Sequence, residues 1–197
     1  AVTSVDSTGL TGAATFNATN STSAVTMTAG NGGSTFTGGI RADTLTGGSG
    51  VDNLVGGNGA DTINGGGGAD AITGGLLADT LTGGAGADDF NFADGDNATI
   101  TLAGADTITD FTTASDTIDI AGYQVADVAT DLSIVDGGAV VDLTALIANA
   151  TAFFAGVGVV ADGVYVAYDA LGSGDAYVFS DTDNSAAFDA GDVFMVL

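Results

Sequence analysis

The chain has 197 residues, enough for one or two domains with a buried core, and it carries 25 acidic residues against a single basic one, for a formal net charge of -24. Such a charge attracts cations and repels nucleic acid and anionic lipid, and no apolar run reaches the ~18 residues of a membrane span, so we expect no nucleic-acid partner and no membrane span. Because Cys and His are absent, disulfides, zinc sites built on those residues and Ser-His-Asp or Cys-His catalysis are excluded within the chain.

Residues 1–37 are rich in Thr, Ser, Ala and Gly, and their apolar residues alternate with polar ones as in β-strands. Phe36 and Met27 lie nine and eighteen residues before Leu45, in step with the repeats that follow. We therefore predict N-terminal β-solenoid coils at 1–37 that lack the full acidic set, with a low-complexity linker as the alternative.

Six nonapeptides follow between Gly38 and Asn91: GGIRADTLT, GGSGVDNLV, GGNGADTIN, GGGGADAIT, GGLLADTLT and GGAGADDFN. A fixed period of this kind marks a solenoid. Two nonapeptides make one coil, each with a glycine-rich turn and a three-residue strand, so alternate repeats stack on the same edge. The apolar residues then line two inner sheets: Leu45, Ile63 and Leu81 on one, and Leu54, Ile72 and Phe90 on the other.

The same stacking places the aspartates in two columns, with Asp43, Asp61 and Asp79 in one and Asp52, Asp70 and Asp88 in the other. Stacked strands lie ~4.8 Å apart, and carboxylates at that distance repel by roughly 3 kcal/mol at an effective dielectric of ~20. Four such pairs cost on the order of 10 kcal/mol, as much as the stability of a domain. The coils therefore need cations between them, and hard carboxylate and carbonyl oxygens favour Ca²⁺ over Mg²⁺.

Residues 92–121 form the exit from the repeats. The nine-residue register passes through one irregular unit, and Asp106 falls eighteen residues after Asp88 with Ile108 in the apolar position. The segment ADTITDFTTASDTIDI then predicts two short strands. We assign residues 38–121 to one calcium-binding roll with its exit strands.

Residues 122–197 lose the repeat and predict a small mixed α/β cap. A helix is expected from Asp142 to Phe154, ended by Gly156. Strands are expected at Val164–Tyr168, Ala176–Phe179 and Val193–Leu197, the first two in a hairpin.

A second acidic pattern near the C-terminus has the 1, 3, 5, 9, 12 spacing of an EF-hand loop. Ala186 occupies the place of the glycine that such a loop requires, so an acidic hairpin turn is the alternative. The residues are Asp181, Asp183, Ser185, Asp189 and Asp192.

The nonapeptides resemble the RTX (repeats-in-toxin) sequence GGxGxDxUx, and tandem copies in register are a specific signal. The resemblance implies a mainly β protein, a parallel β-roll or β-solenoid, with Ca²⁺ between each turn and the next one stacked on it. One turn would give the carbonyls of its second and fourth positions and its Asp, and the next turn the carbonyls of its first and third positions and its Asp. The implied sets are Gly39, Arg41, Asp43 with Gly56, Asn58, Asp61; Gly48, Gly50, Asp52 with Gly65, Gly67, Asp70; Gly57, Gly59, Asp61 with Gly74, Leu76, Asp79; and Gly66, Gly68, Asp70 with Gly83, Ala85, Asp88.

Register adds a fifth set, Gly84, Gly86 and Asp88 with Asp106. Arg41 and Leu77 stand where the fourth glycine of the turn belongs, so we expect weaker sites there, and Arg41 could itself replace a cation. Ser34 stands where an aspartate belongs, which weakens the case for an ion between it and Asp52.

The segment after the repeats and the C-terminal GDVFMVL resemble those of RTX proteins exported by type I secretion, and the Thr/Ala/Gly-rich, Lys-free composition resembles the C-terminal part of bacterial RTX S-layer proteins. The resemblance implies a secreted, non-enzymatic structural segment at the bacterial cell surface, of S-layer or adhesin type. Its expected partners are calcium, copies of itself in a lattice or filament, a cell-surface polysaccharide and the type I secretion machinery. The alternatives are the secretion module of an exoenzyme or toxin whose catalytic domain lies upstream, and a stand-alone filament subunit.

Overall fold

The computed structural model describes residues 2–92, 106–112 and 115–120, together with four strands of the C-terminal part. Contacts divide the chain into one unit of residues 1–92 and 106–119 and another of residues 93–105 and 120–197. The strands are β1 Ser4–Asp6, β2 Thr15–Asn17, β3 Thr26–Thr28, β4 Thr35–Thr37, β5 Thr44–Thr46, β6 Asn53–Asn58, β7 Thr62–Gly67, β8 Ala71–Leu76, β9 Thr80–Ala85, β10 Asp89–Phe92, β11 Asp106–Ile108, β12 Thr117–Ile120, β13 Val135–Asp136, β14 Val164–Tyr168, β15 Ala176–Ser180 and β16 Val193–Val196.

The first unit is a parallel β-solenoid with two sheets. Strands β1, β3, β5, β7, β9 and β11 follow one another in one sheet, and β2, β4, β6, β8, β10 and β12 in the other. Because the chain changes sheet after every strand, each coil adds one strand to each sheet. The prediction of a mainly β, parallel solenoid is confirmed.

The inner column of each sheet is apolar, because the middle residue of each strand faces inward and stacks on its counterpart in the next coil. Leu45, Ile63 and Leu81 are paired in one sheet, and Leu54, Ile72 and Phe90 in the other. All six side chains are fully buried. The division of the repeats between two inner sheets is therefore as predicted.

The N-terminal coils continue the same solenoid. Met27 pairs with Leu45 and Phe36 pairs with Leu54, and both are fully buried. The coils become shorter towards the repeats. Ser4 pairs with the residue 22 positions later in the chain, Thr15 with the residue 20 positions later, and Thr26 with the residue 18 positions later. Only the last spacing is that of two nonapeptides, so the regular period begins at β3.

Strand length differs from the prediction in the middle of the roll. Strands β1 to β5 have three residues as expected, but β6 to β9 have six and include the glycine pair of the following turn. Gly57 pairs with Gly75 and Gly66 with Gly84, so the parallel ladder runs on into the turns. Two adjacent glycines leave no side chain to prevent the backbones of neighbouring turns from approaching closely.

Four strands of the second unit are described. β14 and β15 pair antiparallel, as do β15 and β16, while β13 pairs parallel with β14. The strands predicted near residues 164–168, 176–179 and 193–197 are thus present, whereas the helix predicted at 142–154 and the EF-hand-like segment lie outside the described residues. Within the described part of the chain, no helix has the length and apolar character needed to cross a membrane.

Candidate metal centre

The aspartates of the repeats lie at the end of each turn, one residue before the strand, and point into the roll. Two factors place them there: the glycine-rich turn has no bulk to exclude them, and the following strand fixes their register. Each is at most 2 % exposed, and Asp106 is buried as well. The buried members are Asp43, Asp52, Asp61, Asp70, Asp79, Asp88 and Asp106.

A ladder of hydrogen bonds joins each column. The amide of Asp43 donates to Oδ1 of Asp61 at 2.7 Å, and the amide of Asp61 donates to Oδ1 of Asp79 at 2.7 Å. In the other column the amide of Asp52 donates to Oδ1 of Asp70 at 2.8 Å. One oxygen of each of these carboxylates therefore accepts a backbone amide of the preceding coil. These bonds join the aspartates, which recur every 18 residues, into two continuous columns.

The second oxygen divides the aspartates into two classes. Oδ2 of Asp43 accepts from the Gly39 amide at 2.6 Å, and Oδ2 of Asp52 accepts from the Gly48 amide at 2.8 Å. In contrast, Oδ2 of Asp61, Asp70 and Asp88 is buried with no hydrogen-bond partner. A buried anionic oxygen without a partner is strongly unfavourable, so these three positions require a counter-charge.

A carbonyl of the next turn faces the second oxygen of Asp61 and that of Asp70. A Cβ built on Gly56 would collide with both Oδ2 of Asp61 and the carbonyl oxygen of Gly74, and one on Gly65 would collide with Oδ2 of Asp70 and the carbonyl oxygen of Gly83. The same arrangement recurs at Gly38 and Gly47 in the two earlier turns. In all four predicted sites, the Asp of one turn and the first carbonyl of the next therefore converge beside a glycine that a larger residue would displace.

The other predicted carbonyl ligands lie in the same turns but accept backbone hydrogen bonds. The carbonyl of Gly39 accepts from Asn58 at 2.9 Å and that of Gly48 accepts from Gly67 at 2.9 Å. The carbonyl of Leu76 accepts from Gly59 at 3.1 Å. Since a carbonyl oxygen has two lone pairs, one remains available to a cation at each position.

Glycines shape the turns from residue 56 onward. Gly57 and Gly59 have φ of 106° and 132°, and Gly66 and Gly68 repeat these angles. Leu77, which replaces such a glycine, has φ of 82° and is the one non-glycine residue with positive φ in the described part of the chain. The strained angle expected at this position is therefore present at Leu77, and it is absent at Arg41.

Arg41 does not serve as the cation of the first site. Its side chain is exposed, and Nε donates to the carbonyl of Thr22 at 3.4 Å. Both oxygens of the neighbouring Asp43 accept backbone amides, from Val25 and Gly39.

The prediction that Asp106 follows Asp88 in its column is wrong. The amide of Asp79 donates to Oδ1 of Asp106 at 2.8 Å, so Asp106 continues the column of Asp43, Asp61 and Asp79. Asp106 lies 27 residues after Asp79 rather than 18, because one additional nonapeptide length separates β9 from β11. The neighbour of Asp88 is Asp116 instead, whose Oδ1 accepts the Asp88 amide at 3.2 Å.

Burial raises the pKa of the central aspartates. The pKa of Asp61 rises to about 6 because the side chain is desolvated; the hydrogen bond from the Asp43 amide lowers it, and the negative charge of Asp43 adds to the rise. Desolvation likewise raises the pKa of Asp70 to about 6. The hydrogen bond from the Asp52 amide lowers this pKa, and the negative charges of Asp52 and Asp88 raise it further. The carboxylates therefore take up protons more readily in the folded roll than in the unfolded chain.

The family model of the RTX calcium-binding nonapeptide repeat (4 copies) matches residues 28–63, 46–81 and 64–98. The described residues of this range, 28–92, form the solenoid with the stacked turns and buried aspartates just described. The repeat segment is an RTX β-roll. No curated protein matches the chain.

The RTX roll of this chain offers the donor set of a calcium ion. In the described residues no group of three or more His, Cys, Asp and Glu side chains is arranged to hold a metal by itself. An ion between the turns must therefore take backbone carbonyls as well as carboxylates, all hard oxygen donors in a flexible setting, as Ca²⁺ prefers. The unpaired Oδ2 atoms of Asp61 and Asp70, each facing a carbonyl, fit this requirement.

Sequence reasoning overlooked the hydrogen bonds by which Asp110 and Asp116 join the last turn to the roll. Asp110 accepts the amides of Gly83 and Gly84 at 2.9 and 2.8 Å, and Asp116 accepts that of Thr112 at 2.8 Å. The four-residue bond from Thr112 to Asp116 matches that from Gly39 to Asp43, but the turn contains no glycine to indicate it. The signal in the sequence was the spacing of Asp116 and Ile118, which repeats that of Asp61 and Ile63.

Proposed function

We propose that this chain is a calcium-dependent structural segment of a secreted bacterial surface protein, of S-layer or adhesin type, whose RTX roll folds when Ca²⁺ fills the sites between its turns. The single observation that carries the proposal is the set of buried carboxylate oxygens without partners at Asp61, Asp70 and Asp88. Calcium bound there turns binding free energy into folding free energy. Extracellular calcium then acts as the signal for folding.

The same charges suit export. Without calcium, repulsion within the columns disfavours the coils, and an unfolded chain can pass a narrow channel such as that of a type I secretion system. Extracellular calcium sites bind at roughly 10⁻⁴–10⁻³ M, so the roll would fold after it leaves the cell. The ligand sets given above remain our proposal for where the ions bind.

The coils before the repeats support a structural role over that of a secretion module. β1 to β4 extend the solenoid without a change of architecture, whereas a module attached to an enzyme would need a linker to a globular domain. The RTX roll is a structural calcium-binding fold and supplies no catalytic group. We infer that the chain is a building element rather than an enzyme.

The outer face of one sheet supports assembly of copies side by side. The outward residues of β3, β5, β7 and β9 are threonines except for one asparagine, and none is charged: Thr26, Thr28, Thr44, Thr46, Thr62, Asn64, Thr80 and Thr82. Because the outer face of these four strands carries no charge, two copies of a chain of net charge -24 can approach along it with little repulsion. A cell-surface polysaccharide is a second proposed partner.

Electron microscopy of the purified chain tests this function. We expect ordered sheets or filaments when calcium is added, and dispersed particles in chelator or in magnesium alone. A chain that folds with calcium but stays monomeric at high concentration would refute assembly and favour the secretion-module alternative.

A further inference from the structure

Three asparagines of the chain precede a glycine, Asn31, Asn58 and Asn64, and all three side chains are exposed. In such a pair the backbone nitrogen of the glycine can attack the side-chain carbonyl carbon of the asparagine, because glycine has no Cβ to hinder the approach and its backbone rotates freely. Each pair is therefore a candidate for spontaneous conversion of the asparagine to an acid, and the three differ in how the fold holds them.

The reaction needs water and no other reagent. The glycine nitrogen gives its proton to solvent and forms a new bond to Cγ of the asparagine, and the side-chain nitrogen leaves as ammonia. Water then opens the five-membered succinimide at one of its two carbonyls, which gives aspartate or isoaspartate. Ring closure therefore requires a glycine amide that is not held in a hydrogen bond and a peptide unit that can rotate.

Asn31 and Asn58 occupy the same third position of their turns but differ in the amide that follows. The amide of Gly59 donates to the carbonyl of Leu76 at 3.1 Å, and Gly59 is buried. The amide of Gly32 donates to no acceptor among the described residues, and Gly32 is half-buried. The attacking nitrogen is therefore free after Asn31 and engaged after Asn58.

The extent of the parallel ladder explains this difference. Strand β6 runs through Asn58, which pairs with Leu76 in the next coil. At the earlier turn β3 ends at Thr28 and β4 begins at Thr35, so the peptide that follows Asn31 lies in a bend outside both sheets. That peptide can rotate without breaking a strand pair.

Asn64 lies within the ladder on both sides. It belongs to β7 and pairs with Thr46 in the preceding coil and with Thr82 in the next. Its carbonyl, which is part of the peptide that joins it to Gly65, accepts the amide of Gly47 at 2.8 Å. Ring closure at Asn64 would turn this peptide out of the sheet and break that bond.

We propose that Asn31 is a site of spontaneous conversion to aspartate and isoaspartate in the folded chain, whereas Asn58 and Asn64 are protected by the roll and convert only when it opens. Isoaspartate lengthens the main chain by one carbon, which a bend accommodates and a strand pair does not. Folding thereby protects the repeats from a modification that would disrupt them. The inference goes beyond the proposed function, since it compares three residues of one folded chain whichever ion folds it.

Peptide mapping by mass spectrometry of the full-length chain, aged at mildly alkaline pH, measures conversion at each asparagine. The folded sample is taken in calcium or in chelator, whichever gives the β-strand spectrum, and the reference sample is taken in concentrated urea. In the folded sample we expect Asn31 to convert at least about tenfold faster than Asn58 or Asn64, because a backbone hydrogen bond must open before either of these reacts. In urea the three rates should be similar. Equal rates in the folded sample, or fastest conversion at Asn58 or Asn64, would overturn the proposal.

Two variants test whether the fold is the cause of the protection. Ile63 is fully buried and precedes Asn64 in β7, so Ile63→Ala should make the roll open more often and speed conversion at Asn64 several-fold, with little change at Asn31. Thr62→Ala, on the outer face of the same strand, is the matched control and should leave all three rates unchanged. An Ile63→Ala chain that fails to fold should convert all three asparagines at the rates of the urea sample. An unchanged rate at Asn64 in a roll that denaturant unfolding shows to be destabilised would refute protection by the fold.

Discussion

Aspartates at the same position of the repeat differ in their hydrogen bonding. Asp43 and Asp61 are both buried at the end of a turn, yet both oxygens of Asp43 are satisfied by amides, whereas Oδ2 of Asp61 is unpaired. Asp61 also belongs to two of the proposed ligand sets and Asp43 to one. We therefore expect Asp61 to contribute more to calcium binding than Asp43, although both belong to one column.

We expect Asp61→Ala to reduce bound calcium by two ions, and Asp43→Ala by at most one. The calcium concentration at the folding midpoint should rise about tenfold for Asp61→Ala, which corresponds to roughly 1.4 kcal/mol. Metal counting with a folding titration measures both. Equal losses for the two variants would contradict the stacked arrangement.

Leu77 is the second residue-scale feature. Its φ of 82° is a left-handed conformation that costs a branched side chain of order 1 kcal/mol, and half of its surface is exposed, so little packing is lost on truncation. Leu77→Gly should therefore stabilise the calcium-loaded chain by about 1 kcal/mol in denaturant unfolding. Arg41→Gly, at the same place in its repeat but without positive φ, is the control and should bring no gain.

At the scale of elements, the inner columns hold the strands together. Ile63 is fully buried between Leu45 and Leu81. Ile63→Ala leaves a cavity that neighbours on both sides must line, and we expect a loss of about 3 kcal/mol in unfolding free energy with calcium present. Thr62→Ala, one residue away on the outer face, should change it by less than about 0.5 kcal/mol.

The nine-residue period was enough to predict the strands, the two inner columns and the two Asp columns, because each follows from stacking equal units. It could not predict the place of Asp106, since register after the last repeat is set by the pairing of β11 on β9 and not by counting. Nor could it separate Asp43 from Asp61, whose repeats read alike but whose turns differ in backbone angle. Asp110 and Asp116 were missed because their turn lacks glycine.

The aspartate columns also make the stability of the folded roll depend on pH in the absence of calcium. Folding raises the pKa of Asp61 and Asp70 from 3.8 to about 6. Between these values the folded roll binds protons that the unfolded chain has released, so stability is present below about pH 4 and is lost as the pH rises through 6, by on the order of 2 kcal/mol for each carboxylate.

Thermal unfolding of the calcium-free chain across pH 4 to 7 measures this loss. We expect the transition temperature to fall as pH rises, and the double variant Asp61→Asn, Asp70→Asn to flatten the profile. A stability that increases with pH in chelator would contradict the buried, unpaired state of these carboxylates.

At the scale of the whole molecule, a chain of net charge -24 has a roll whose buried charges are all of one sign. Burial of the apolar columns favours folding, and repulsion along the aspartate columns opposes it. Calcium decides the balance, because it is bound by the folded turns and finds no comparable site in the unfolded chain.

A calcium titration of the full chain followed by far-ultraviolet circular dichroism at pH 7 tests this most directly. We predict a coil spectrum in chelator, a cooperative change to a β-strand spectrum at millimolar or lower calcium, and no such change with magnesium. A strand spectrum that is the same in chelator and in calcium would contradict the central claim that the buried aspartates prevent folding until calcium binds.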